Sequence, residues 1–556
     1  MDPQSQPPPT PKKERPPPDA MKSFKGFLWS IMPFVAVYIA HRLATAIRSP
    51  NAFVEQVLQV SNGYGAKLSC SQVFLANRTQ ASMDSVELLF PPIIFGSSFT
   101  VDYESKCVVG SYRFNPKIFQ TACYRNRQLG CVLMNGRTAS PLSKYSNLWA
   151  PTIEGSSCSA EEDPSLPWPW GGASPPSSSL ASALDGVDLS AIDALASAHF
   201  AHTSLHARAF LLVRDGVLIY ERYGDGATAA TPQIGWSMTK SLTSTLLGAR
   251  ALQAGGFDLS TDVAPALWPG QKVEESGNTN HFSLGNMLQM SDGLDFDEDY
   301  APGTVTTEML FTAPATSDVM PQPARRPASS GKKCFHYSSL TTNLLQKFLK
   351  STFPDVRSYL SFPETALFSR INIRSATLET DPSNTFVGSS FSYMTPRDWA
   401  KLGLLWLNDG VWPSSPLSAA GASSLAARNT YAGERILPEG WMSFAAAATP
   451  SSNGAYGAHF WRGGNERSEE EDTHSMECDK LFHTRVKPAK AWWRDSFPEG
   501  SGTFAAHGFE EQMVAMIPSK GVVMVRLGAS KEVVLMWEKE KVKFYRGIMD
   551  SIRDKK

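Results

Sequence analysis

Spacings that gather a metal ion are missing from this chain. No two of its cysteines stand as C-x-x-C, and its ten histidines include no H-x-x-x-H pair with a glutamate between. Structural zinc sites and zinc hydrolases need such spacings because their ligands must converge on one ion. No cofactor is therefore expected. Surplus charge of one sign is missing too: 52 Lys and Arg against 53 Asp and Glu leave a net charge of -1. Without a basic stripe or an aromatic ladder, nucleic acid is set aside as a partner. A full-length apolar span is also lacking. Gly26 to Ala40 is uncharged and apolar but meets His41-Arg42 before Leu43 to Ile47 resumes. That falls short of the ~20 residues that cross a bilayer unless Arg42 snorkels.

The amino end nonetheless reads as an address. Residues 1–21 are rich in Pro, Lys and Arg without apolar spacing and are expected to be disordered. For residues 26–47 three readings compete: a signal anchor, a cleaved signal peptide, and a buried or interfacial helix. The long basic, proline-rich lead favours a retained single-pass anchor. Lys12, Lys13, Arg15, Lys22 and Lys25 against Arg42 and Arg48 put the amino terminus on the cytoplasmic side, with the rest lumenal, extracellular or periplasmic. Five of the seven cysteines (Cys70, Cys107, Cys123, Cys131 and Cys158) crowd after that segment, which suggests disulfides and an oxidising compartment. Cys334 and Cys478, isolated in sequence, are the expected free thiols. One sequon, Asn77-Arg78-Thr79, lies in the same region and is a candidate glycosylation site. Organisation follows from composition: a tail (1–21), an anchor (26–47) and a Cys-rich accessory region of strand-like segments (65–155). A Pro/Ser/Gly linker (156–184) then leads to a main domain (185–556).

Chemistry enters at Gly235-Trp236-Ser237-Met238-Thr239-Lys240, which runs into the apolar stretch Ser241 to Leu247. Ser237 and Lys240 stand one turn apart at a helix start, so the amine can reach the hydroxyl. A serine is inert at its own pKa and needs such a base. The free N–H groups and positive dipole end of the helix lie where an oxyanion would develop. This is the S-x-x-K signature of a serine acyl-transfer enzyme. A nucleophile elbow is ruled out, because Gly235-x-Ser237-x-Thr239 lacks the second glycine.

Two further motifs follow in order. Tyr337-Ser338-Ser339 precedes an amphipathic helical pattern, and Thr503 to Pro518 reads as strand, turn, strand around Ala505-Ala506-His507-Gly508. With the Asp215-Gly216 hairpin, Met287 to Leu294, Arg397 to Leu405 and Tyr456 to Trp461, the chain from about Leu195 to Ser551 resembles a known family. That family is the beta-lactamase-related serine hydrolases: class C beta-lactamases, penicillin-binding esterases and 6-aminohexanoate-dimer hydrolases. The Cys70 to Phe74 and Gly130 to Leu133 segments resemble a lead-in that some members carry.

The resemblance implies an α+β, beta-lactamase/transpeptidase-like fold: an antiparallel sheet flanked by helices, with a helical insertion bearing Tyr337. It implies that Ser237 attacks a carbonyl, Lys240 takes its proton and Tyr337 passes that proton to the leaving group. For that, nearby Lys240 would have to lower the tyrosine pKa. Ser339 replaces the family's asparagine. The oxyanion donors are expected at the Ser237 N–H and a strand N–H near Ala505 to Ala506, within the run that ends at His507 and Gly508. His507 is either a partner of substrate or tyrosine or a strand-end histidine without a role. The lysine of the K-T-G strand, which would grip a penicillin carboxylate, is absent. The expected activity is thus hydrolysis of a small amide or ester. A penicillin-binding peptidase or beta-lactamase is the alternative, and a scaffold without turnover the alternative from another class. Oligomeric state stays open.

Overall fold

The computed structural model describes residues 50–89, 96–134, 163–271, 282–296, 298–320, 334–414, 433–450, 452–463, 495–530 and 537–554. The segment 26–47 lies outside them. Among the described residues no helix is long and apolar enough to cross a membrane. The described residues from Leu58 on form one compact unit, and it holds the candidate site.

The Cys-rich region is not made of strands alone. It opens on helix α1 (Pro50–Phe74), whose inner half is buried because its small residues admit close neighbours. A Cβ on Gly63 would lie 2.2 Å from the Phe311 carbonyl oxygen, and one on Gly65 2.1 Å from the Phe99 ring. Strands β1 (Ser97–Asp102), β2 (Cys107–Tyr112), β3 (Asn115–Asn126) and β4 (Gly130–Leu133) follow as an antiparallel sheet. Cys107 bonds Cys123 across β2 and β3, and Cys70 of α1 bonds Cys131 of β4. Cys334, expected to be free, is disulfide-bonded as well. Isolation in sequence is no guide here, because folding brings distant cysteines together. Cys158 and Cys478 lie outside the described residues.

This region shares its core with the main domain. Lys67 of α1 forms an ion pair with Glu379, their side chains 2% and 0% exposed. Glu379 also accepts from Ser71 Oγ and the Cys131 N–H, both at 2.7 Å. A buried pair stays ionised only when its remaining hydrogen-bonding capacity is filled in this way. The stretch 156–184 differs from a bare linker. It contains two short parallel strands, Asp163–Pro167 and Gly171–Ala173, and the helix Ser177–Leu184. Its tryptophans explain this: Trp168 is buried, and the Pro169 and Trp170 carbonyls accept from Asn372 Nδ2.

Six antiparallel strands make the main sheet. After helix α2 (Leu189–Ala201), β5 (Ala207–Arg214) and β6 (Val217–Tyr223) form the expected hairpin. Asp215 and Gly216 both take positive φ, 53° and 78°, which matches the twist of the two strands. Helices α3 (Met238–Ala254), α4 (Ser339–Ser351) and α5 (Pro396–Leu407) come next. The strands β7 (Trp461–Arg462), β8 (Phe504–Gly508), β9 (Gln512–Ile517) and β10 (Val522–Gly528) and helix α6 (Trp537–Asp550) complete the domain. The sheet order is β7-β8-β9-β10-β5-β6. Side chains alternate along β5, so both faces bury apolar residues. Phe210 and Leu212 pack with Ile192 of α2 and Phe544 and Ile548 of α6. Leu211 and Val213 pack in the core that holds Leu242 of α3 and Trp399 of α5.

Candidate active site

A short sheet delivers the serine. Gln233–Ile234 pairs with Ser392–Met394, which pairs in turn with Thr377–Leu378. The chain then turns through Gly235 and Trp236 into α3, with Ser237 at its N-cap. Trp236 takes φ 47°, a conformation that an aromatic residue adopts only under strain and that clusters at functional sites. Its ring packs on Phe391 and Phe509 while its Nε1 donates to Glu510 Oε2 at 3.3 Å. Nothing in the sequence signals this conformation, because the positive φ falls on Trp236 and not on Gly235 beside it.

Lys240 lies one turn on, 1% exposed, whereas Ser237 is only partly covered. Its Nζ donates to Ser237 Oγ (3.2 Å), Ser339 Oγ (2.9 Å) and the Ser389 carbonyl (3.0 Å). Burial brings its ammonium down to about 8, against the pull of Glu298 upward. A lysine with that pKa is a usable base near neutrality.

Tyr337 precedes α4, whose N-cap is Ser338. The Lys240 Nζ stands 4.9 Å from the centre of the Tyr337 ring. The expected lowering of the tyrosine pKa is not what this environment produces. Burial and then Glu298 push the phenol well above its ordinary value, with a hydrogen bond to Ser237 opposing them. Tyr337 is therefore a neutral phenol and a proton donor. Trp461 packs tilted against it at 5.4 Å and Tyr456 meets it edge-on at 5.8 Å.

The strand comes closest to the serine at Gly508, two residues past Ala506 and three past Ala505. A Cβ on Gly508 would lie 2.2 Å from the Gly235 carbonyl oxygen and 3.2 Å from the Ser237 nitrogen, so the Gly508 end of β8 approaches the serine. β7 pairs with β8 only at Phe504 and Ala505. The strand is held beyond Gly508 by Glu510 and Glu511, both at positive φ (59° and 66°). Arg526 Nη1 donates to both of their carbonyls. His507 pairs across the ladder with Met513, which with Ala505 belongs to the core under α6. By alternation His507 lies on that face, while Ala506 shares the face of α3.

Glu298 was not legible in the sequence. Its carboxylate accepts from the Ser339 N–H (2.7 Å), the Ser339 hydroxyl and the Tyr300 hydroxyl (2.6 Å). His459 lies within the family-like segment Tyr456 to Trp461, and nothing in the sequence singles it out. It is buried with one ring nitrogen at the Leu288 carbonyl (2.7 Å) and the other at Thr342 Oγ1 (3.0 Å). Burial takes its pKa down to about 3, the Leu288 bond opposing and Lys240 adding to the fall, so it stays neutral. Asn77 is exposed, at φ 52°, and Thr79 caps the helix that follows.

A serine with a buried lysine at its hydroxyl, a tyrosine beside both and a strand end near the serine N–H come together in one site. The chain belongs to the beta-lactamase family, whose model matches residues 192–532; the family includes serine hydrolases and penicillin-binding proteins, and its beta-lactamase/transpeptidase-like fold is the one described above. Among solved structures it is similar to a candidate 6-aminohexanoate-dimer hydrolase from Bacillus anthracis, at 18% identity over 62% of this chain and 79% of that one, TM-score 0.38. It is similar to a class C beta-lactamase in complex with cefoxitin, at 14% identity over 66% and 98% of the two chains, TM-score 0.41. A penicillin-binding protein homologue from Caulobacter crescentus is similar at 12% identity over 68% and 99%, TM-score 0.44. No curated protein matches the chain.

Proposed function

We propose that the chain is a serine hydrolase that cleaves a small amide or ester through an acyl-enzyme on Ser237. The observation that carries this is the buried Lys240 amine 3.2 Å from Ser237 Oγ. Ser237 Oγ attacks the carbonyl carbon as neutral Lys240 takes its proton. The oxyanion forms at the Ser237 N–H and the backbone N–H groups at the Gly508 end of β8. Tyr337 protonates the leaving group and recovers its proton from the Lys240 ammonium, and water then releases the acyl group by the reverse sequence. The strand run Ala505 to Gly508 has no lysine for a substrate carboxylate, and Glu298 adds negative charge nearby, so a neutral substrate is favoured over a penicillin.

The test is labelling of the protein with a fluorophosphonate probe, with mass spectrometry of the modified residue in wild type and Ser237→Ala. Label confined to Ser237 is expected. A folded protein that takes no label would instead point to a scaffold without turnover, and acylation by a fluorescent penicillin would point to a penicillin-binding enzyme.

We further infer that residues 26–47 anchor the chain in a membrane with the enzyme on the lumenal or outer side. The paired cysteines support an oxidising compartment, and exposure of Asn77 suits glycosylation there. Loss of a mass shift on glycosidase treatment of Asn77→Gln, against a shift in wild type, is the expected result.

A further inference from the structure

Ser339 stands where the family's pattern has asparagine, and its single hydroxyl proton is already committed. Lys240 Nζ donates to its oxygen at 2.9 Å, while the hydroxyl itself donates to Glu298. A hydroxyl has one donor and two lone pairs, so the direction of this chain is fixed: ammonium to hydroxyl, hydroxyl to carboxylate. Ser339 has no proton left to donate to a substrate.

The carboxylate is built in rather than lying by chance at the surface. It accepts from the Ser339 backbone N–H at 2.7 Å, at the first residue of α4, and from the Tyr300 hydroxyl at 2.6 Å. The loop that carries it is pinned to the α4 lead-in on either side of Tyr337. The His336 N–H donates to the Met290 carbonyl at 2.8 Å, His336 Nε2 meets the Phe296 carbonyl at 2.7 Å, and Thr341 donates to Asp292 at 2.6 Å. Half of the Tyr300 surface is exposed, yet its hydroxyl is turned into this network.

We propose that Glu298 is a positioning residue of the hydrolytic machinery: through the Ser339 hydroxyl it orients Lys240 and balances the charge that Lys240 acquires on taking the serine proton. This rests on Ser237 and Lys240 as nucleophile and base. The other titratable groups around Lys240 are Tyr337 and His459. Those around the carboxylate are Tyr300, Tyr337 and Tyr456. The tyrosines are held protonated and His459 neutral, so Glu298 is the counter-charge that Lys240 meets in this network.

The experiment follows the rate of fluorophosphonate labelling of Ser237 against pH in the full chain, for wild type, Glu298→Gln and Tyr300→Phe. In wild type the rate rises as Lys240 deprotonates. In Glu298→Gln the rise moves to lower pH by about one unit, because an opposite charge that favours the ammonium is gone, and the plateau falls about tenfold or more. Tyr300→Phe leaves the charge but removes one bond to it, which strengthens its field at Lys240 and moves the rise upward. This variant keeps the test open if the glutamine variant does not fold. A fall in rate with the rise unmoved in both variants would make Glu298 merely structural, and wild-type profiles in both would remove it altogether. Failure of the underlying assignment looks different: wild type itself would show no label on Ser237, or a rise that survives Lys240→Ala.

Discussion

Lys240 owes its basicity to a contest between burial, which strips its ammonium of water, and Glu298, which holds the proton on. Burial wins and the pKa comes down to about 8. The base form is the neutral amine, so kcat/KM for a neutral ester should climb as pH rises through about 8 and lose that limb in Lys240→Ala. The same substitution should lower kcat by about three orders of magnitude, read in an ester assay with fold checked by circular dichroism. Ser237 and Lys240 were legible because their chemistry is local: i and i+3 on one helix turn meet whatever the rest of the fold does. Tyr337 was legible only through its neighbours in a motif, and its pKa was not. That depends on which residues enclose it, and Glu298 reaches it from another segment.

Strand β8 shows the same division one level up. Its existence, the turn after it and the following strand were readable from apolar alternation, but the register against Ser237 was not. Gly508 rather than Ala505 or Ala506 makes the close approach, because the turn at Glu510 and Glu511 ends the strand there at two positive φ values no glycine announces. Gly508→Ala should force β8 away from the Gly235 carbonyl, since its Cβ would otherwise lie 2.2 Å from that oxygen. A displacement of this kind is expected to slow acylation by roughly a hundredfold with the melting temperature lowered only modestly. A normal acylation rate would put the oxyanion donor elsewhere. Helix α1 makes the converse point. Its sequence between Pro50 and Phe74 has one cysteine and several small residues, Ser61, Gly63, Gly65 and Ala66 among them, and only packing in the shared core makes its inner half a buried helix.

Leu58–Lys556 is a single compact unit in which the Cys-rich segments and the main domain share one core. The buried Lys67 and Glu379 pair is a point of weakness, because removing one partner strands the other charge. Glu379→Ala should cost about 3–5 kcal/mol, seen as a lower denaturation midpoint, and the double variant Lys67→Met/Glu379→Leu should recover much of that loss. Since Glu379 sits in the segment whose Ser389 carbonyl receives Lys240, the single variant should also lose activity below its melting point. The disulfides differ by the loops they close. Cys70 to Cys131 spans 61 residues and Cys107 to Cys123 spans 16, so removing the first should cost about 4 kcal/mol and the second about 3. The reverse order in a chemical denaturation series would mean that native packing, not loop entropy, sets their worth.

The amino-acid order alone specified what depends on neighbours along the chain: the serine and lysine on one turn, the Asp215-Gly216 hairpin, the alternating strands that close the domain, and the clustering of cysteines after the basic lead. It also carried enough ordered motifs to mark the family. Contacts between distant segments were beyond it. Glu298 facing Ser339 across 41 positions, Lys67 facing Glu379 across 312, and Gly508 against Ser237 are such contacts. A carboxylate acquires its role from the cation or hydroxyl set before it, and that juxtaposition exists only once the sheet and helices have packed.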